Sequence, residues 1–312
     1  MAGPVSDAGP DGAQAVVDAV SVPPAGKDAS VADAQLDETT GLSPQNEWGP
    51  LARITWMDLP ETLEDARRAG CLVFGDDAGS SLHSFIILTG TGLPDMLRAG
   101  PTGLIPLVYL MRIQDWSEGA EATDLDEVTL EFITGEQDPE RQLYIGDAAQ
   151  HRGEALNIFS ETLVQDGWLD TEGGDYAQPI RVPDGPLFFM PLSYAKINGR
   201  LSADGAGFSV SSGNITGYVT AQSISSMLDD IRGLCMMPST PPLCALLSGQ
   251  LDRSNEELIE TLIELIGGWD VHVSDQGYPR SCSDEEFQCN AIGACLIYEA
   301  EGTRVQGVYE GP

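Results

Sequence analysis

A mainly β, β-rich α+β fold, an antiparallel β-sandwich carrying a small disulfide-stapled helical insertion, is the architecture the sequence predicts. Three features point to it. Short stretches of period-2 apolar alternation recur at roughly ten-residue intervals, divided by turns rich in Gly, Asp and Pro. Helical spacing is largely confined to about 221–268. Five of the six cysteines fall between Cys235 and Cys295, around and just after that helical stretch.

Residues 1–46 carry mostly Ala, Asp, Gly, Pro and Val, with Lys27 as the single basic residue and no aromatic residue. Ordering a backbone costs about 1–2 kcal/mol per residue, and such a composition buries too little apolar surface to offset it. The segment is expected to be a disordered acidic tether, with residues 47–312 forming one β-rich domain. Ala52–Met57 alternates as a strand, and Pro60 suits the start of a short helix over Glu61–Ala69. Cys71–Phe74, Ser84–Leu88 and Leu104–Arg112 are apolar enough for buried strands, with one helical turn at Leu93–Leu97. Glu127–Ile133 alternates with its acidic and Thr residues outward, and Gln142–Ile145, Ala155–Leu163 and Ile180–Val182 follow as shorter strands.

Ala195, Ile197, Gly199 and Leu201 then share one face of a strand, opposite Lys196, Asn198, Arg200 and Ser202. Ala203–Gly207 supplies a turn, Phe208 and Val210 return, and Ile215, Gly217 and Val219 resume in the opposite parity beyond Ser212-Gly213. That switch predicts a third short strand reached through a turn or bulge. Thr220 is a fitting N-cap for a helix whose apolar side is Ile224, Met227, Leu228, Ile231 and Leu234. A Pro-rich bend joins Cys235 to Cys244, and Ser254 with Glu257 reads as a capping box opening a second helix that stops at Gly267-Gly268. Trp269–Val273, Ala294–Ala300 and Val305–Tyr309 return to strand patterning, the last two as a terminal hairpin around Glu301-Gly302-Thr303.

Acidic residues outnumber basic ones 49 to 15, for a formal charge of -34. That excess repels phosphate backbones and anionic lipid surfaces, which argues against nucleic acid as a partner. No run of about 18 apolar residues is present, so no α-helical transmembrane span is expected. The cysteine spacings of 9, 7 and 6 do not suit the close pairs of a zinc site, and disulfides are favoured. The preferred order is Cys235 with Cys244, Cys282 with Cys289, and Cys71 with Cys295, while either Cys282 or Cys289 could take Cys295 instead. Disulfides imply an oxidising, extracytoplasmic setting: periplasm, outer-membrane surface or secreted. With no export signal at Met1, the expectation is that a signal has been removed and that a lipid anchor could attach through the missing N-terminus.

Catalytic motifs are sparse. Ser193-Tyr-Ala-Lys196 matches the Ser-x-x-Lys of serine acyl-transferases, but its companion motifs are absent, and an unbroken strand sends the two side chains to opposite faces. His83, His151 and His272 show no metal-binding spacing. Oxygen-rich loops at Asp76-Asp77, Asp115–Asp126, Glu136–Glu140 and Asp170–Asp175 are candidates for structural calcium, with Asp170, Glu172 and Asp175 the chosen ligands. Five tryptophans, Trp48, Trp56, Trp116, Trp168 and Trp269, offer either core packing or a sugar-stacking platform. Asn214-Ile-Thr216 is a glycosylation sequon.

The Gly-x-Leu-x-Ala-Asp-Gly turn at Gly199–Gly205, the Gly213–Thr220 strand, the helix closing on Cys235, the bend to Cys244 and the terminal strand near Cys295 together carry a family likeness. Over about Leu187–Glu310 the chain resembles uncharacterised extracytoplasmic proteins and lipoproteins of myxobacteria and their relatives. That resemblance implies export and lipid anchoring, and no activity. The expectation is a non-catalytic extracytoplasmic binding or structural protein with a glycan or protein ligand; the alternative is a carboxylate-dependent hydrolase of the glycoside class.

Overall fold

The computed structural model describes residues 50–71, 107–114, 116, 124–137, 143–145, 155–181, 187–204, 207–236, 244, 249–250, 252–282 and 288–307. All lie in the unit formed by Leu42–Pro312. The tether, the strand Ser84–Leu88, the helical turn Leu93–Leu97, most of the Pro-rich bend, and His83 and His151 fall outside the described residues.

The described residues form twelve strands, in chain order β1 (Leu51–Asp58), β2 (Val108–Ile113), β3 (Asp124–Gln137), β4 (Leu143–Ile145), β5 (Asn157–Gln165), β6 (Trp168–Thr171), β7 (Gly174–Arg181), β8 (Leu187–Asp204), β9 (Gly207–Thr220), β10 (Val271–Val273), β11 (Pro279–Ser281) and β12 (Ala291–Thr303). The described helices are α1 (Leu63–Arg68), α2 (Ala221–Cys235) and α3 (Asn255–Leu265). Neighbours run β1-β2-β3-β5-β6-β8-β9-β12, and β12 pairs back onto β1 from Leu51↔Thr303 to Asp58↔Ile297. The ring is a closed, antiparallel, eight-stranded barrel, and the expected β-sandwich does not form. Alternation along a strand is the same whether the sheet faces a second sheet or curls onto itself. The β1–β12 ladder makes the difference, joining the first and last strands and leaving the ring without open edges.

Curling needs bends, and the ladders slip between Ile54 and Trp56, between Tyr298 and Ala300, and between Asn198 and Arg200. The last slip faces Ser212, held at φ 52. It accounts for the parity switch: the two strands expected over Phe208–Val219 are one bulged strand, β9. The β5–β6 hairpin turns on Asp166 and Gly167, both at positive φ, as an Asp-Gly two-residue loop requires. β6 and β7 lie end to end along β8, meeting it at Trp168–Asp170 and Gly174–Arg181 respectively. The expected terminal hairpin is also corrected. Glu301-Gly302-Thr303 is not a turn; it continues β12 alongside Arg53, Ala52 and Leu51.

Apolar side chains fill the interior, among them Ile54, Tyr109, Phe132, Phe159, Ile197, Ile215 and Leu296. A hydrogen-bonded chain crosses this core in one direction: Asn157 Nδ2 donates to Tyr109 Oη (2.9 Å), Tyr109 to Tyr176 Oη (3.0 Å), and Tyr176 to Gln178 Oε1 (2.9 Å). Burial pushes the Tyr109, Tyr176 and Tyr298 hydroxyls well above the ordinary phenol range, so each stays protonated and can donate. Asn157 also pairs with the backbone of Ala177 through both its amide groups, bridging β5 to β7.

Outside the ring, α1 lays Ala66 over Cys71 and Cys295, β4 with Val305 covers Val108, Leu110 and Ile133, and β10 covers Tyr218. Thr62, two residues beyond Pro60, caps α1 through Asp65 N (3.1 Å). The apolar sides of α2 and α3 merge with the barrel core where β9 ends. Thr220 caps α2 as its position predicts, and Ser254 with Glu257 forms the capping box of α3. No helix among the described residues is long and apolar enough to cross a membrane.

Candidate functional site

Three disulfides close on the described residues: Cys71–Cys295, Cys235–Cys244 and Cys282–Cys289. These are the pairs placed first from spacing and position. Cys71–Cys295 joins the segment after α1 to the middle of β12, and Cys235–Cys244 ties off the end of α2. No cysteine is free. Bridges of this number are sustained in an oxidising environment outside the cytoplasm.

The candidate calcium ligands do not converge. Asp170 points outward from β6, Glu172 lies in the link between β6 and β7, and Asp175 opens β7; all three are exposed. Among the described residues no group of three or more His, Cys, Asp or Glu side chains is gathered closely enough to hold a metal ion. Trp48 lies outside the described residues, and the described tryptophans do not form a platform either. Trp116 stacks on Phe208 in the core, with ring centroids 5.3 Å apart, and Trp269 packs against the core from the side. Among the described tryptophans Trp168 alone is strongly exposed, beside Arg200. Asn214 of the sequon is buried and donates to Ala69 O (3.1 Å), which leaves its amide inaccessible to a glycosyl donor.

Ser193 and Lys196 need a correction of a different kind. Ser193 pairs with Tyr218 and Lys196 with Thr216, so three steps along β8 match two along β9. The surplus residue is Tyr194, at φ 49. This bulge brings Ser193 and Lys196 to the same outer face, against the alternation expected of an unbroken strand. No hydrogen bond joins the pair among the described residues; Lys196 Nζ sits over the Tyr194 ring instead, 5.9 Å from its centroid.

A polar cleft lies close to this bulge. Tyr194 is turned so that its ring packs over Gly173, where a Cβ would lie 2.5 Å from the ring carbons. Tyr278 leans on it from the other side, with centroids 5.6 Å apart, while remaining 55% exposed. Next to these rings opens a cleft of about 480 Å³, lined by Asp175, Ser193, the Thr220–Gln222 start of α2, the Ser274–Gly277 turn and Asn290. The turn is held by Gly277 N donating to Ser274 O (2.8 Å), by Tyr278 N donating to Ser274 Oγ (3.2 Å), and by Gly277 at φ 84. Asn290 is spent on structure, its amide bonding both backbone groups of Val273. The carboxylates of Asp175 and Asp275 and the amides of Gln222 and Gln276 are the groups left for a ligand.

Sequence reasoning singled out Asp175 for a different purpose and missed Tyr278, Gln222, Asp275 and Gln276. The Ser-Asp-Gln-Gly turn between β10 and β11 was the available signal, since such residues mark a tight turn. Nothing local signalled that it would face the start of α2. A smaller cleft of about 150 Å³ brings Glu161 and Glu172 to the outer wall between β5 and β7. No protein-family model, curated protein or solved structure matches this chain.

Proposed function

We propose that the protein is a non-catalytic binding module exported from the cytoplasm, and that a small neutral glycan occupies the polar cleft beside Tyr278. The observation that carries this reading is a cleft lined by carboxylates and amides, with the exposed Tyr278 following Gly277 of its lining in the chain. A sugar presents hydroxyls around its rim and C–H groups on its faces. The first call for planar acceptors and donors such as Asp175, Asp275, Gln222 and Gln276; the second pack on an aromatic face. A volume of about 480 Å³ suits a ligand of one or two sugar rings. The three disulfides support export, as does the likeness to extracytoplasmic proteins of myxobacteria.

Isothermal titration with a panel of neutral mono- and disaccharides tests the reading. Saturable binding of at least one sugar is expected, weakened tenfold or more by Tyr278→Ala with the melting temperature unchanged, because the ring is more than half exposed. No saturable binding, or a variant that binds like the parent, would overturn it. A second reading has one observation in its favour: Asp175 and Asp275 share the cleft, as an acid and a base of a glycoside hydrolase would. Release of reducing sugar, lost in both Asp175→Asn and Asp275→Asn, would replace binding by hydrolysis.

A further inference from the structure

A second cleft, which shares Ala221 with the glycan site, lies between the start of α2 and α3. It measures about 780 Å³, with Ile259, Ile263 and Trp269 among its apolar lining. One rim is formed by Glu256, Glu260 and Glu264. Their four-residue spacing stacks them along one side of α3 over about 12 Å, at 1.5 Å per residue. All three are exposed, and none joins an ion pair among the described residues. Among the described residues no Lys or Arg lines the cleft. The nearest arginines are engaged elsewhere: Arg253 bonds Thr261 and Gln250, and Arg232 bonds Asn255, Asp229 and the Arg253 carbonyl.

Like charges four apart weaken an isolated helix, so the arrangement costs stability unless a cation faces it. An apolar floor with a single-sign rim is the complement of one kind of partner. We propose that this groove docks a basic amphipathic segment of another protein, with Lys or Arg at helical spacing along the glutamate rim and apolar side chains on Ile259, Ile263 and Trp269. Charge argues against a second copy of this chain as occupant, because two bodies of formal charge -34 repel, and against anionic lipid and nucleic acid on the same ground.

Fluorescence anisotropy with a labelled helical Leu/Lys amphipathic peptide tests the proposal. The comparators are a scrambled peptide of identical composition and two charge-matched variants: E256Q/E260Q/E264Q at the rim, and E161Q/D170N/E172Q on the far barrel wall. Saturable binding of the amphipathic peptide is expected, at least tenfold tighter than the scrambled one at 150 mM salt. The rim variant should weaken it tenfold or more, and the wall variant less than twofold. Ile259→Ser should also weaken it with the rim charges intact. Equal binding of both peptides, or equal loss in the two triple variants, would reduce the effect to general attraction by an acidic protein and overturn the proposal. Circular dichroism confirms that each variant keeps its helices, so a folding defect is separable from lost docking.

Discussion

Replacing Cys71 and Cys295 by alanine removes the bridge that ties the segment after α1 to the strand closing the barrel. The bridge encloses 224 residues, and the chain-entropy relation gives about 5 kcal/mol for a loop of that length. The other two bridges lie inside this loop and bypass only 9 and 7 residues, a negligible change in a logarithm. For Cys235–Cys244 the same relation gives about 2.5 kcal/mol. Alanine preserves the apolar surroundings, since Cys71 and Cys295 are buried against Ala66. Against a total of about 5–15 kcal/mol for a domain, the larger loss leaves C71A/C295A marginally folded. Guanidinium unfolding under non-reducing conditions is the assay, with free energies extrapolated to water because release of a long loop also raises m. The expected order is parent, then C235A/C244A, then C71A/C295A. If C235A/C244A lost as much stability as C71A/C295A, loop length would not govern the effect, and the entropic argument would fail.

Two further predictions concern the barrel. A Cβ at Gly207 would lie 2.0 Å from the Leu51 carbonyl oxygen, a backbone atom fixed in the β1 seam, so Gly207→Ala should cost about 1–3 kcal/mol or more in thermal unfolding; an unchanged melting temperature would show that the seam gives way freely. Tyr109, Tyr176 and Tyr298 have folded-state pKa values raised above the ordinary value by burial, so the unfolded chain loses these protons first as pH rises. Their contribution is fully present below about pH 10 and is lost above it, at about 1.4 kcal/mol per pH unit for each tyrosine. Tyr176→Phe should reduce that slope by about one third, and should also cost about 1–3 kcal/mol at neutral pH by leaving Tyr109 and Gln178 without their shared partner. Denaturation followed at pH 8 and pH 11 measures both effects, and equal pH slopes for the parent and the variant would contradict the first.

Strand content, the caps at Thr220 and Ser254, the stop at Gly267-Gly268 and the Cys235–Cys244 pair were legible in the sequence. Each depends on neighbours a few positions away or on the order of residues along the chain. An N-cap acts over three residues and a pleat over two, so composition and period report them directly. Closure into a barrel was not legible, because the inward and outward faces of a strand alternate identically in a sandwich. The β1–β12 ladder that decides it joins residues some 250 positions apart. Nor was the candidate site: it is assembled from the starts of β7 and α2, the middle of β8, the β10–β11 turn and the approach to β12, and no local pattern links them. Tyr194 shows the physical reason most plainly. Whether a residue is accommodated as a bulge depends on the register of the strand beside it, and that one insertion moves Lys196 to the face of Ser193 and sets the Tyr194 ring over Gly173. The sequence alone determined a β-rich, acidic, disulfide-bridged chain with two capped helices. Tertiary pairing decided that its strands close on themselves and where its polar groups meet.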